Sequence, residues 1–160
     1  MSNYILFEIY NKNHFEKLRN CVEIFNRHIT TEVPVHMEAL KSELGDDFVK
    51  NFPTHTKKED EDWRKRWFNT PVNIRKHDPG LKRRMSFESL VSGLLENDFQ
   101  YLRVARDDEG IGRLEFDSAS WPYGGLTQLK NLVRVFSHRI IGIDDGTGYT
   151  SLNLEHDKEI

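Results

Sequence analysis

Three stretches of the chain hold side chains whose types and spacing suit chemistry or recognition. In the first, Trp63, Arg64, Lys65, Arg66 and Trp67 begin a segment that ends in Lys82, Arg83 and Arg84. Between Trp63 and Arg84 eight basic residues face one acid, Asp78, a local charge of +7. Lys and Arg neutralise phosphates and aromatic faces stack unpaired bases, so the parts of a single-stranded nucleic-acid site are present. Against this, Glu59, Asp60, Glu61 and Asp62 come directly before it, and the chain's pI is about 6.2. The same residues also suit two other roles. The tryptophans can anchor a helix while the cations pair with acids, or the basic surface can meet an acidic protein and speed encounter.

The second stretch, Trp121-Pro122-Tyr123-Gly124-Gly125, places two large amphipathic aromatics beside two glycines at an expected strand-to-helix junction. Glycines permit close approach of a partner, and Trp and Tyr often dominate protein interfaces. The third comprises two acidic turns, Asp107-Asp108-Glu109-Gly110 and Asp144-Asp145-Gly146-Thr147-Gly148. Paired carboxylates suit cation binding or acid-base work. Asp-Gly is also a common signature of a tight hairpin, the simpler account of both.

Other chemistries lack their signatures. No Lys-Ser or Lys-Thr follows Gly124-Gly125, so there is no P-loop, and Gly146-Thr147-Gly148 leads toward a strand and not a helix, unlike a dinucleotide fingerprint. His36, His55, His77 and His138 stand without the spacing or cysteine partners of a zinc site. Cys21 is the single cysteine, and no Gly-x-Ser-x-Gly elbow occurs. No catalytic residue, metal or cofactor is expected.

The elements that must position these residues follow from periodicity. Ile5, Phe7 and Ile9 alternate within Tyr4–Tyr10, a strand. Phe15, Leu18, Val22, Phe25 and Ile29 form the apolar stripe of a first helix. Met37, Leu40, Leu44, Phe48 and Phe52 form a second stripe, either one helix or two meeting at Gly45. Residues 57–69 read as a polar helix with acids near its start and cations near its end. Residues 70–85, punctuated by Pro71, Pro79 and Gly80, read as a loop. Ser86 caps a helix bearing Phe87, Leu90, Val91, Leu94 and Leu95. A hairpin over residues 99–117, a helix over 126–136, a strand over 140–143 and an edge strand near 150–154 complete the chain.

The resulting class is a single α+β domain over 1–160 with an antiparallel sheet. Its order is the ferredoxin-like βαββαβ, interrupted by a helical insertion at about residues 30–98. At 160 residues, 37% hydrophobic and 31% charged, with no apolar run of membrane-spanning length, the chain reads as cytoplasmic, without a membrane partner. Small size, uneven charge and no catalytic signature are features of the kind seen in bacterial toxin-neutralising and other small inhibitory proteins. The expected function is therefore a non-enzymatic protein-binding module, an inhibitor or immunity-type protein neutralising a toxin or nuclease. Trp121, Tyr123, Asp107, Asp108, Glu109, Asp144 and Asp145 are its expected contacts. The alternatives are single-stranded nucleic-acid binding through residues 63–84, and an enzyme or small-ligand binder at the sheet end near Trp121 and Asp144. The last requires Asp117, His138, Asp144 and Asp145 to converge. Oligomeric state is not fixed by any of these features.

Overall fold

A computed structural model describes residues 3–31, 33–96, 99–118 and 126–152. Strand β1 (Asn3–Glu8) leads to helix α1 (Lys12–Thr31), then to α2 (Met37–Leu44), α3 (Asp46–Val49), α4 (Lys57–Asn69) and α5 (Val72–Arg75). A 3-10 turn over Pro79–Leu81 precedes α6 (Phe87–Leu95), the hairpin strands β2 (Phe99–Arg106) and β3 (Ile111–Ser118), α7 (Leu126–Val135), β4 (Arg139–Asp144) and the short β5 (Tyr149–Ser151).

The strands form one antiparallel sheet in the order β2-β3-β1-β4-β5. Both crossovers therefore skip a strand: β1 and β2 run parallel with β3 between them, and β3 and β4 run parallel with β1 between them. Register assigns the faces. Ile5 pairs with Leu114 and with Ile143, and all three are buried, as are Phe7, Phe116 and Ile140 on the same face. Against that face α1 buries Phe15, Leu18, Cys21, Val22 and Phe25, α6 buries Phe87, Leu90 and Leu94, and α7 buries Leu129, Leu132 and Val133, giving one continuous apolar cluster. The Phe7 ring lies so close over Gly112 that a Cβ there would overlap it, so this pleat position requires glycine. Edge strand β2 is tied to α1, whose Asn26 side chain accepts the Leu102 N–H at 2.8 Å.

The other face is polar and aromatic. Tyr4 lies opposite Glu115 and Asp144, and Leu6 lies opposite Arg113. The Arg113 guanidinium sits 3.8 Å from the centre of the Tyr4 ring, and Tyr149 stacks on Tyr4 at 6.5 Å. Arg139 donates to Glu8, which also accepts from the Tyr10 hydroxyl and is held below the usual carboxylate range by these donors.

Two expectations are refined. The second apolar stripe is two helices, because Gly45 takes φ +89° and receives no helical continuation. The expected loop over 70–85 contains α5 and the 3-10 turn. Their stabilising partners lie on α4, at sequence distances that local periodicity does not register.

Candidate functional site

The helix α4 begins with a capped turn, the Thr56 hydroxyl accepting the Glu59 N–H. It buries none of its side chains in the main core. It is held instead by its tryptophans and by arginines from the chain that follows. Trp63 and Trp67, four residues apart, stack with centroids at 5.2 Å. The Trp63 indole N–H donates to the Leu81 carbonyl at 3.0 Å, and Leu81 is buried outside the main apolar cluster. Arg83 lies over the Trp63 ring at 4.4 Å and Arg75 over the Trp67 ring at 5.0 Å. The four groups form an ordered stack, Arg83-Trp63-Trp67-Arg75, and a cation over an aromatic face stabilises by about 0.5–2 kcal/mol.

The same arginines have further partners. Arg83 pairs with Asp60 at 2.9 Å, and the Arg75 Nε donates to the carbonyls of Trp67 and Thr70 at 3.0 and 3.1 Å. Arg66 pairs with Asp78 at 3.0 Å and lies flat across Gly80. The Gly80 N–H and then Arg66 hold the Asp78 carboxyl below its ordinary range. Arg84 donates to the Asn51 carbonyl at 2.6 Å. The segment from Lys57 to Arg84 is thus a lobe with its own packing, in which four arginines act as fasteners.

Outward from that stack the lobe exposes apolar side chains. Phe68 is 75% exposed, Val72 74% and Ile74 47%, all within seven residues around the α4–α5 junction. Phe68 stands about 120° round the helix from the middle of the Trp63–Trp67 stripe, on the flank that also carries Arg64 and Lys65. The sequence marks Phe68 as an aromatic beside the basic run, with Trp63 and Trp67, and does not mark Val72 and Ile74, which lie in what reads as a loop. The signal that sets Phe68 apart from the tryptophans is that it falls off their stripe and has no apolar neighbour at helical spacing on its N-terminal side.

The acidic residues expected as contacts sit in two turns of the sheet. Asp107, Asp108 and Glu109 form the β2–β3 turn, beside the end of β1 at Glu8. Asp144 pairs with Tyr4 at the other end of β1, roughly 13 Å away along the strand at about 3.3 Å per residue. The structure therefore separates the two acidic groups. Each builds its own turn: Asp107 accepts the N–H groups of Glu109 and Ile111, Asp144 that of Gly146, and Asp145 the N–H and hydroxyl of Thr147. The Thr147 bonds hold the Asp145 carboxyl below its ordinary value. Trp121 and Tyr123 lie outside the described residues.

Convergence of Asp117, His138, Asp144 and Asp145 does not occur. Asp117 and Asp144 lie toward one end of the sheet, while His138 precedes β4 at the opposite end and is buried on the helical side against Phe7 and Phe15. Burial pushes the His138 pKa down from 6.5, against the backbone groups of His14 and Glu8, which favour its charged form. Clefts of 540, 670 and 710 Å³ open on the surface, and none of the four lines them. Cys21 forms part of the 670 Å³ cleft, with its thiol pushed up to about 12 by burial, which makes it a poor nucleophile. Among the described residues no group of three or more His, Cys, Asp and Glu side chains is placed to hold a metal ion, and no helix is long and apolar enough to cross a membrane.

In comparisons with protein-family models, curated proteins and solved structures, the chain matches none.

Proposed function

We propose that the chain is a non-enzymatic protein-binding module acting in the cytoplasm, of the inhibitor or immunity type whose partner is a toxin or nuclease. One observation carries the reading: the lobe closes its tryptophan faces with arginines and turns Phe68, Val72 and Ile74 outward. Base stacking needs open aromatic faces, and the arginines cover those of the tryptophans, leaving Phe68 as the exposed ring. Exposed apolar side chains, one aromatic and two aliphatic, in a well-charged surface are instead the features of a protein contact. The scaffold reading is a single domain of ferredoxin-like order. Its support is the pair of strand-skipping crossovers around β3 and β1, with β5 added at the edge and α2–α6 inserted before β2.

The test is affinity capture from native cells with the full chain and with a Phe68→Ser, Val72→Ser double variant, each at low and high salt. The expected outcome is one stoichiometric protein, weakened by salt and lost in the variant. Capture of no protein at any ionic strength, or of the same protein equally by both chains, would overturn the lobe as the contact.

A further inference from the structure

Resting on that reading, we infer the chemistry of the partner: the lobe receives an acidic segment with apolar side chains at intervals, running from Arg64 and Lys65 across Phe68 toward Lys76. The inference comes from sorting the cations by what they already hold. Arg66, Arg75, Arg83 and Arg84 are committed to Asp78, to backbone carbonyls, to Asp60 and to the tryptophan faces. Three of these keep their charge but spend their geometry inside the lobe, and Arg84 spends its own on tying the lobe to the Asn51 carbonyl outside it.

Lys57, Lys58, Arg64, Lys65, Lys76 and Lys82 show no such internal commitment among the described residues, and of these Arg64, Lys65 and Lys76 bracket the exposed apolar group in sequence. Arg64 is four residues and Lys65 three before Phe68, which puts them on its flank of α4. Lys76 follows Ile74 at the end of α5. A surface with apolar side chains at its centre and cations at its rim is complementary to a segment with apolar centres and carboxylates outside them.

The acids of the lobe set direction and exclude another class of ligand. Glu61 lies on the same flank one turn before Arg64. Asp60 is paired with Arg83, and Glu59 lies 3.6 Å from His55. An acidic segment that passed N-terminal of Arg64 would meet Glu61, so its track ends there. A nucleic-acid strand, with a charge at every nucleotide, would meet the same repulsion, and of the three exposed apolar side chains only Phe68 offers it a ring for stacking.

The probe is a random 16-residue peptide library displayed and selected against the intact chain, with an oligo-dT 12-mer as a second arm. The expected outcome is enrichment of peptides with net negative charge and apolar residues at recurring spacing. Their binding should fall at least tenfold with Phe68→Ser plus Val72→Ser, at least tenfold with Arg64→Glu plus Lys65→Glu, and less than twofold with Arg103→Glu on the outer sheet face. All substituted side chains lie at the surface, and unchanged circular dichroism and tryptophan fluorescence would show that the lobe remains folded. Enrichment of neutral or basic peptides, no enrichment, binding indifferent to the lobe variants, or oligo-dT binding that depends on Phe68 would each overturn the inferred chemistry. Capture of a Phe68-dependent protein alongside any of these results would leave the protein-binding reading standing, so the two fail separately.

Discussion

The sheet with its three long covering helices and the α4–α5 lobe are held by different physics. In the sheet region the organising contacts are apolar and close-packed: Phe7 over Gly112, Ile5 between Leu114 and Ile143, and the helical stripes against them. Burial of this kind is insensitive to salt and scales with area. In the lobe the organising contacts are guanidinium groups on rings, carboxylates and carbonyls, around one buried leucine. Such contacts are directional, and those exposed to solvent are individually weak. The lesson is that the chain folds through one region and presents its exposed apolar group on the other, where few core contacts are at stake.

The sharpest way to break this comparison is a pair of truncations. Phe7→Ala removes a fully buried ring and should cost about 3–5 kcal/mol of global stability, seen as a lower urea midpoint for the whole chain. Trp63→Ala should instead act locally. Hydrogen-exchange protection should be lost over residues 57–84 while the global midpoint moves by less than about 1 kcal/mol, because α4 adds nothing to the main core. A global collapse in the tryptophan variant would show that the two regions are one cooperative unit.

A smaller change sharpens the role of the fasteners. Arg75→Lys keeps the charge but loses the flat contact with Trp67 and the fork that reaches two carbonyls. It should loosen the lobe by about 1–2 kcal/mol, read as increased exchange around Trp67 and Thr70 and a changed near-ultraviolet dichroism of the tryptophan pair. A signal identical to that of the parent chain would mean that charge alone suffices.

The smallest expected effect belongs to the sheet region and depends on pH. His138 is buried, and burial outweighs the backbone groups of His14 and Glu8 that favour its charged form, so its folded-state pKa lies below 6.5. The unfolded chain therefore takes up a proton at a higher pH than the folded chain does. Stability from this group is fully present above about pH 6.5 and is lost as the pH falls through 6.5 toward the folded-state value. Between pH 7.5 and 5.5 the parent should lose stability relative to His138→Leu, measured as the difference in urea midpoint between the two. The leucine variant should be flatter and more stable at pH 5.5. An equal slope in both would place the dependence elsewhere.

Legibility from sequence follows this division only in part. The strands and the helices α1, α6 and α7 were readable because burial imposes periods, as in Phe15-Leu18-Val22-Phe25 and the alternation of Ile5 with Phe7. In the lobe, α4 was readable at its observed bounds from acids near its start and cations near its end. The break at Gly45 was readable only as one of two options, since glycine permits a positive φ without requiring it. The structure of residues 70–85 was not readable. It depends on Arg75 reaching back to Trp67 and on Asp78 gripping Gly80 and Arg66, contacts that leave no period. The acidic turns were readable as turns, whereas their separation to opposite ends of the sheet follows from strand order. The tryptophans and cations were recognised as a group, but which cations were already engaged is a matter of three-dimensional geometry.

The most direct test of the central claim is a photo-crosslinking amino acid placed at Phe68 in the full chain and, separately, at Arg103 on the outer sheet face, each illuminated in living cells. The account predicts a discrete adduct with one protein from position 68 and none from position 103. Adducts from position 68 with nucleic acid alone, or a protein adduct from position 103 and not from 68, would contradict it.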